Sequence, residues 1–246
     1  MLWQLGAMGY STVVLPSPVE TWMALQRLAI AGKLTHALLI TSFHLFSAFA
    51  IAVLLGVIAG IGAGIWPGLR WGISPLISAL QGIPPIGWIV LALLWFGSGH
   101  GTPIFTITAA VLPIVFLGTV EGMQRFPLPL AEMAQIYRAP DRLLLVDLYF
   151  PHLLSYLFPA LTAGLGLAWR VAVMAELLSS ETGIGAELNL ARINLETDEV
   201  MAWIAIAVFS IWICEYLLLR PLRRWLEPWQ HGDTPKNSHR DRPSSR

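Results

Sequence analysis

The sequence predicts an all-α fold, a polytopic transmembrane helical bundle of about five spans, and three observations carry that prediction. The 246 residues are 56% hydrophobic and only 12% charged, whereas a soluble domain carries roughly 25% charged residues. Apolar runs of about twenty residues or more recur along the chain, in keeping with a mean hydropathy of +0.65. The strictly alternating segments of about ten residues that a transmembrane barrel requires are absent.

Taken in order, residues 2–15 are mostly apolar but too short and too polar to cross about 30 Å of hydrocarbon. LPSPVE (15–20) is a proline turn, and Pro18 starts a helix carrying Glu20, Arg27 and Lys33 that lies at the outer interface. Residues 1–36 thus form an amino-terminal region ahead of a transmembrane domain at 37–227. Ala37 to Trp66 is the first full span, with Gly56, Gly60 and Gly64 four apart on one face for close helix approach. Trp71 to Phe96 is the second, interrupted by Pro84-Pro85, which remove two backbone donors and kink or break the helix. GSGHG (97–101) turns the chain into a third span, Thr102 to Val120, with Pro113 inside it.

A loop at 121–148 follows, and the stretch from Glu132 to Pro151, which runs from it into the next span, is the longest charged interruption between apolar segments. Tyr149 to Leu178 is the next span, with Ala160, Gly164 and Ala168 as a second small-residue stripe. Residues 179–199 read as a polar loop, Val200 to Leu219 as the last span, and 228–246 as a disordered tail. The tail region holds Arg220, Arg223, Arg224, Lys236, Arg240, Arg242 and Arg246, which puts the carboxyl terminus in the cytoplasm. The 179–199 loop, with Glu181, Glu187, Glu196, Asp198 and Glu199 against Arg192, falls outside. Counting back places the 121–148 loop in the cytoplasm and GSGHG outside.

Several function classes are excluded on composition. Formal net charge is zero, so nothing favours nucleic acid. Cys214 has no companion for a disulfide, and the first residues lack the basic region of a secretory signal. The six histidines (36, 44, 100, 152, 231, 239) show no i,i+4 pairing, so no metal site is expected, and no cofactor motif or nucleophile–base arrangement stands out. A G-x-x-x-x-G-K-[ST] phosphate loop is also missing. If the chain does work across a membrane, a separate motor must reach it, and the charged cytoplasmic loop offers a handle.

The residues of that loop carry a resemblance. Glu132-Met133-Ala134, followed at fixed spacing by Leu148-Tyr149-Phe150-Pro151, resembles the cytoplasmic signature of permease subunits of bacterial ATP-binding-cassette importers. With LPSP (15–18), LWFG (94–97), GLGLAW (164–169) and AELLSSETGIGAELN (175–189), the stretch from about 13 to 227 is similar to the nitrate/sulfonate/taurine branch of that family. There are two departures: Met133 stands where the signature has alanine, and Arg138 where it has glycine. A positive φ at that position would cost a non-glycine residue roughly 1 kcal/mol or more.

The resemblance implies a type I importer permease fold in a bacterial inner membrane, without enzymatic activity of its own, and it makes the residues ahead of LPSP a truncated form of the family's first span. It implies that the loop forms a coupling helix docking on a dimeric ATPase subunit through Glu132, Met133, Ala134, Tyr137, Arg138, Ala139 and Asp141, with Pro151 opening the next span. It further implies a second permease copy, most simply a homodimer, an extracytoplasmic solute-binding protein, and a small solute such as nitrate, a sulfonate or taurine.

For the translocation path the candidates are His44, Gln81, Trp88, Arg170 and Glu176, since polar groups at membrane depth face a cavity or a partner. Arg170 and Glu176 are six residues apart and point in different directions; Glu176 reads equally as a carboxylate reaching the outer interface, and His44 as an interhelical hydrogen-bonding residue. Arg170 is the only basic residue within the spans, which argues against a strongly anion-coordinating pore. Trp66, Trp71, Trp95 and Trp203 read as interfacial anchors. Two rival classes remain at this level. A gradient-driven transporter or channel would have no need of the handle. A membrane-embedded enzyme would need Glu176, Arg170 and His44 to converge, which their scatter does not support.

Overall fold

The computed structural model describes residues 15–214 and Tyr216. The expected first-span stub and the basic tail therefore lie outside the described residues, as do the side chains of Leu128, Ala131, Gln135 and Asp141. Among the described residues every regular element is helical.

Helix α1 (Pro18–Ile30) starts where the proline turn predicts, and a capping box fixes its first turn. The Ser17 N–H donates to the Glu20 carboxylate at 2.7 Å, and the Glu20 N–H donates to Ser17 Oγ at 3.3 Å. Arg27 near its end forms an ion pair with Asp198, which ties α1 to the start of the last described helix. Helix α2 (Lys33–Ile65) has 33 residues, about 50 Å at 1.5 Å per residue.

Helices α3 (Pro67–Gly82) and α4 (Pro85–Phe96) are the two halves of the expected second span, bent by 99° at the Ile83-Pro84 break. The two missing proline donors explain why no helix bridges it. Helix α5 (Gly101–Gln124) runs unbroken through Pro113. After a short helix α6 (Leu128–Ile136), one turn at Asp141–Leu143 leads into a π-helical segment, Leu144–Tyr149, that continues directly as α7 (Phe150–Ser179). Helix α8 (Ile184–Ile193) lies in the stretch expected to be loop, and α9 (Thr197–Ile213) is the described part of the last expected span.

The core is a three-helix stack of α2, α5 and α7, and the small-residue stripes set its spacing. A Cβ added at Gly56 or Gly60 would sit within 3 Å of Val115 or Thr119, and one at Gly64 would strike Met123. The same four-residue period on both helices brings the α2 and α5 backbones together. On the adjoining face of α5, Gly118 meets Ala160, and Gly164 of α7 meets Val111. Both stripes are thus consumed inside one chain. Leu45, Ile107, Val111, Val115, Ala168 and Ala172 fill the interior that results.

One tryptophan departs from expectation. Trp66, Trp71 and Trp95 are 63%, 82% and 58% exposed, as interfacial anchors should be, but Trp203 is fully buried in the main core. It lies on the inward face of α9 with Ala202 and Ile206.

Candidate functional site

The cytoplasmic-loop segment is built from its ends inward. At its roots, Phe126 stacks on Tyr149 with ring centroids 4.1 Å apart and planes 4° from parallel. His152 meets Phe126 edge-on at 5.4 Å and donates from Nε2 to the Gly122 carbonyl at 3.1 Å. These contacts pin the end of α5 to the start of α7, so the residues between them project as one unit. Pro151 is the second residue of α7, just past the junction where the π-helical turn gives way to α-helix.

Helix α6 stops at Arg138, whose φ is +52°. The Ala139 N–H then donates to the Ala134 carbonyl at 2.9 Å, the six-to-one bond of a Schellman cap. The position where the signature has glycine thus takes the left-handed conformation that glycine favours, and arginine occupies it with strain. Ahead of the cap, the last turns of α6 present an open apolar face. Met133, Ile136 and Tyr137 are 55%, 79% and 76% exposed. Glu132 and Arg138 are exposed, while Ala134 and Ala139 are half-buried.

At the opposite end of the bundle a polar cluster closes the core. His44 Nδ1 lies 2.7 Å from Glu176 Oε1, and His44 Nε2 lies 2.7 Å from His100 Nδ1. Thr41 Oγ1 donates to Glu176 Oε2 at 2.8 Å, and the Gly185 N–H donates to the same oxygen at 3.1 Å. Thr41 in turn accepts the Ile184 N–H at 2.9 Å. The carboxylate accepts, so His44 presents an Nδ1–H to Glu176, and in the neutral ring its Nε2 accepts from His100 Nδ1. Thr41, His44 and Glu176 are fully buried, and His100, in the GSGHG turn, reaches the surface.

Two glycines make room for this cluster. Gly183, at φ +112°, passes so close that a Cβ would lie 2.5 Å from the Glu176 carboxyl carbon. A Cβ at Gly185 would collide with the backbone of α7. The GSGHG turn is also held directly, through the Gly99 N–H to the Ser179 carbonyl at 3.3 Å.

The path candidates therefore separate. His44 and Glu176, read as scattered, are joined, and Glu176 turns into the bundle rather than up to the interface. Gln81 is exposed at the end of α3, beside the break. Trp88 packs edge-on against Phe105 at 6.1 Å, and its buried indole N–H has no acceptor among the described residues. Arg170 does not join the cluster; it lies exposed beside a cavity of about 200 Å³ between α7 and α9. The signals missed in the sequence were His100, taken only as part of a turn, and the close-packing glycines 183 and 185.

Similarity to known proteins follows this architecture. Residues 52–231 match the family described as binding-protein-dependent transport system inner membrane component. The taurine transport system permease protein TauC of Escherichia coli (strain K12) is 31% identical over 204 residues, covering 83% of this chain and 70% of that protein. The putative aliphatic sulfonates transport permease protein SsuC of the same organism is 33% identical over 215 residues, covering 85% and 80%. Among solved structures, a chain of the MetNI methionine ABC transporter in an inward-facing form superposes with a TM-score of 0.53 at 16% identity, over 78% of this chain and 95% of that one. The fold is accordingly that of a type I ABC importer permease, and the chain belongs to the family of binding-protein-dependent transport system inner membrane components.

Proposed function

We propose that this chain is the membrane-spanning permease subunit of an ATP-driven importer, and that the segment from Leu128 to Pro151 is where a separate ATPase dimer engages it. The observation that carries this reading is the exposed apolar face of Met133, Ile136 and Tyr137 on a capped helix whose two roots are locked together. A surface of that kind on a loop between spans calls for a protein partner. The basic tail supports a cytoplasmic position for the loop, where a soluble ATPase has access. Closing of the ATPase pair would push the segment, and the continuous run from the π-helical segment into α7 would carry the movement into the bundle.

A homodimer of this chain encloses the path in this reading, and a solute-binding protein delivers from outside. Since α2, α5 and α7 use their small-residue stripes within one chain, two copies pair through another surface. The named cargoes of the two curated relatives support a small anion of the taurine or sulfonate kind.

The test is reconstitution of the chain with its ATPase, followed by Glu132→Ala and Arg138→Glu. Both variants are expected to insert normally while uncoupling hydrolysis from uptake. Wild-type coupling in both would overturn the docking assignment.

A further inference from the structure

We propose that Glu176, His44 and His100 form a proton-operated latch. It fastens the GSGHG turn to the bundle while the two rings share at most one added proton, and frees the turn when a second arrives. The cluster runs from the interior to the surface: Glu176 and His44 are fully buried, and His100 is exposed in the turn between α4 and α5. The bond from His44 Nε2 to His100 Nδ1, at 2.7 Å, joins the ring of the turn to the ring of α2.

That bond holds with one proton between the two nitrogens and fails with two. The His44 Nδ1 proton is already committed to Glu176, which also accepts from Thr41 and Gly185. With both rings neutral, His100 donates to His44. A first added proton enters on Nε2 of the exposed His100 ring, and the bond keeps its one proton whichever ring carries the charge. It also draws a cation toward the buried carboxylate, which strengthens the contact. A second added proton sets N–H against N–H and two cations side by side, and the rings part.

The turn is the part free to move. Gly97 and Gly99 have φ of +69° and +140°, and a Cβ added to either meets nothing within 4 Å, so neither is held by packing. The hydrogen bonds that tie the turn to α7 are long: Gly99 N–H to the Ser179 carbonyl at 3.3 Å, and Ser180 Oγ to the Gly99 carbonyl at 3.4 Å.

Glu176 is the one acid that touches the pair among the described residues. His36 on α2, Arg170 on α7, Glu181 in the turn after α7, and Glu187 and Arg192 on α8 make no bond to either ring. Helix α4 carries no titratable group, and Glu121 stands near the far end of α5. Glu20 caps its own helix. Arg27, Glu196, Asp198 and Glu199 gather around Lys33, which lies about 16 Å from His44 along the α2 axis. The latch thus answers to the acidity at its own end of the bundle, opposite the coupling segment.

The test is hydrogen exchange of the intact chain in phosphatidylcholine nanodiscs, read at the Gly99 amide and corrected for the intrinsic pH dependence of exchange. It needs neither ATPase nor solute, so its outcome is independent of the coupling experiment. Ring-nitrogen NMR of histidine-labelled protein counts the protons taken up by His44 and His100. Histidine changes charge between about pH 8 and pH 5. Across that range Gly99 protection should hold through the first proton and fall about tenfold with the second, as loss of a charge-assisted bond implies. The amides of Ile107–Val115 should keep theirs. His100→Asn retains a donor near the Nδ1 position but takes up no proton, so its Gly99 protection should stay level throughout. Loss with the first proton, equal loss in His100→Asn, no loss in the wild type, or a loss shared by Ile107–Val115 would each overturn the latch.

Discussion

His44 Nδ1 and Glu176 Oε1 are 2.7 Å apart with both side chains fully buried, although 132 residues separate them in the chain. The pair links α2 to α7, and through Gly185 and Thr41 it also holds the first turn of α8. Truncating the acid strands three donors at once. A buried donor left without its partner costs about 1–3 kcal/mol, so Glu176→Ala should lower the unfolding temperature sharply in detergent. Glu176→Gln should cost less. Its amide oxygen can accept from Thr41 and Gly185, while its NH₂ donates to His44 once that ring moves its proton to Nε2 and donates to His100. A Glu176→Gln protein as unstable as Glu176→Ala would show that charge, rather than hydrogen-bond count, holds the cluster.

The glycines around the cluster give a steric prediction. A methyl group at Gly185 meets the α7 backbone, which has no flexible side-chain end to yield. Overpacking of this sort costs about 1–3 kcal/mol. Gly185→Ala should therefore loosen α8 and speed hydrogen exchange across Ile184–Ile193. Gly68→Ala is the matched control, because nothing lies within 4 Å of its added Cβ.

The sequence displays individual residues of these sites better than their pairings. His44 and Glu176 stand out because ionisable groups at membrane depth are costly, yet their meeting depends on the α2–α5–α7 packing that sets both helices' rotation. Gly56, Gly60 and Gly64 announce a close helix contact by period alone, but not whether the neighbour is α5 or another copy. Helix α8 escapes notice because Glu187, Asn189 and Arg192 interrupt a short window, while Ile184 and Ala191, seven apart and buried, mark its inward face. Trp203 looks like a belt residue by its place near a span end, and only the docking of α9 buries it. At Arg138 the signature's glycine marks a position that tolerates positive φ, and the φ of +52° shows that the turn is left-handed with arginine in place.

Arg138 then yields a local prediction opposite in sign to the usual effect of cutting off a side chain. Glycine accepts positive φ without a Cβ clash, so Arg138→Gly should stabilise the α6 cap by about 1 kcal/mol. Slower exchange of the Ala139 amide, which bonds to Ala134, is the measurement. If the same variant reduces stimulation of the ATPase, the guanidinium serves the interface at the expense of the turn; unchanged stimulation would make the arginine a strained but passive occupant.

The stacked Phe126–Tyr149 pair tests whether the segment moves as a unit. Their near-parallel rings join the end of α5 to the π-helical run before α7. Such a pair is worth about 0.5–1.5 kcal/mol beyond its buried area. Phe126→Leu keeps the apolar volume but loses the stack, so the bundle should keep its melting temperature. Exchange should rise only across residues 141–150, where the root is released. Binding of the ATPase should persist, because Met133, Ile136 and Tyr137 are untouched, yet hydrolysis should respond less to the solute-binding protein. Unaltered exchange at 141–150 would mean that His152, through its bond to the Gly122 carbonyl, holds the root by itself. His152→Phe, which removes that bond and keeps the edge-on ring, would then produce the effect.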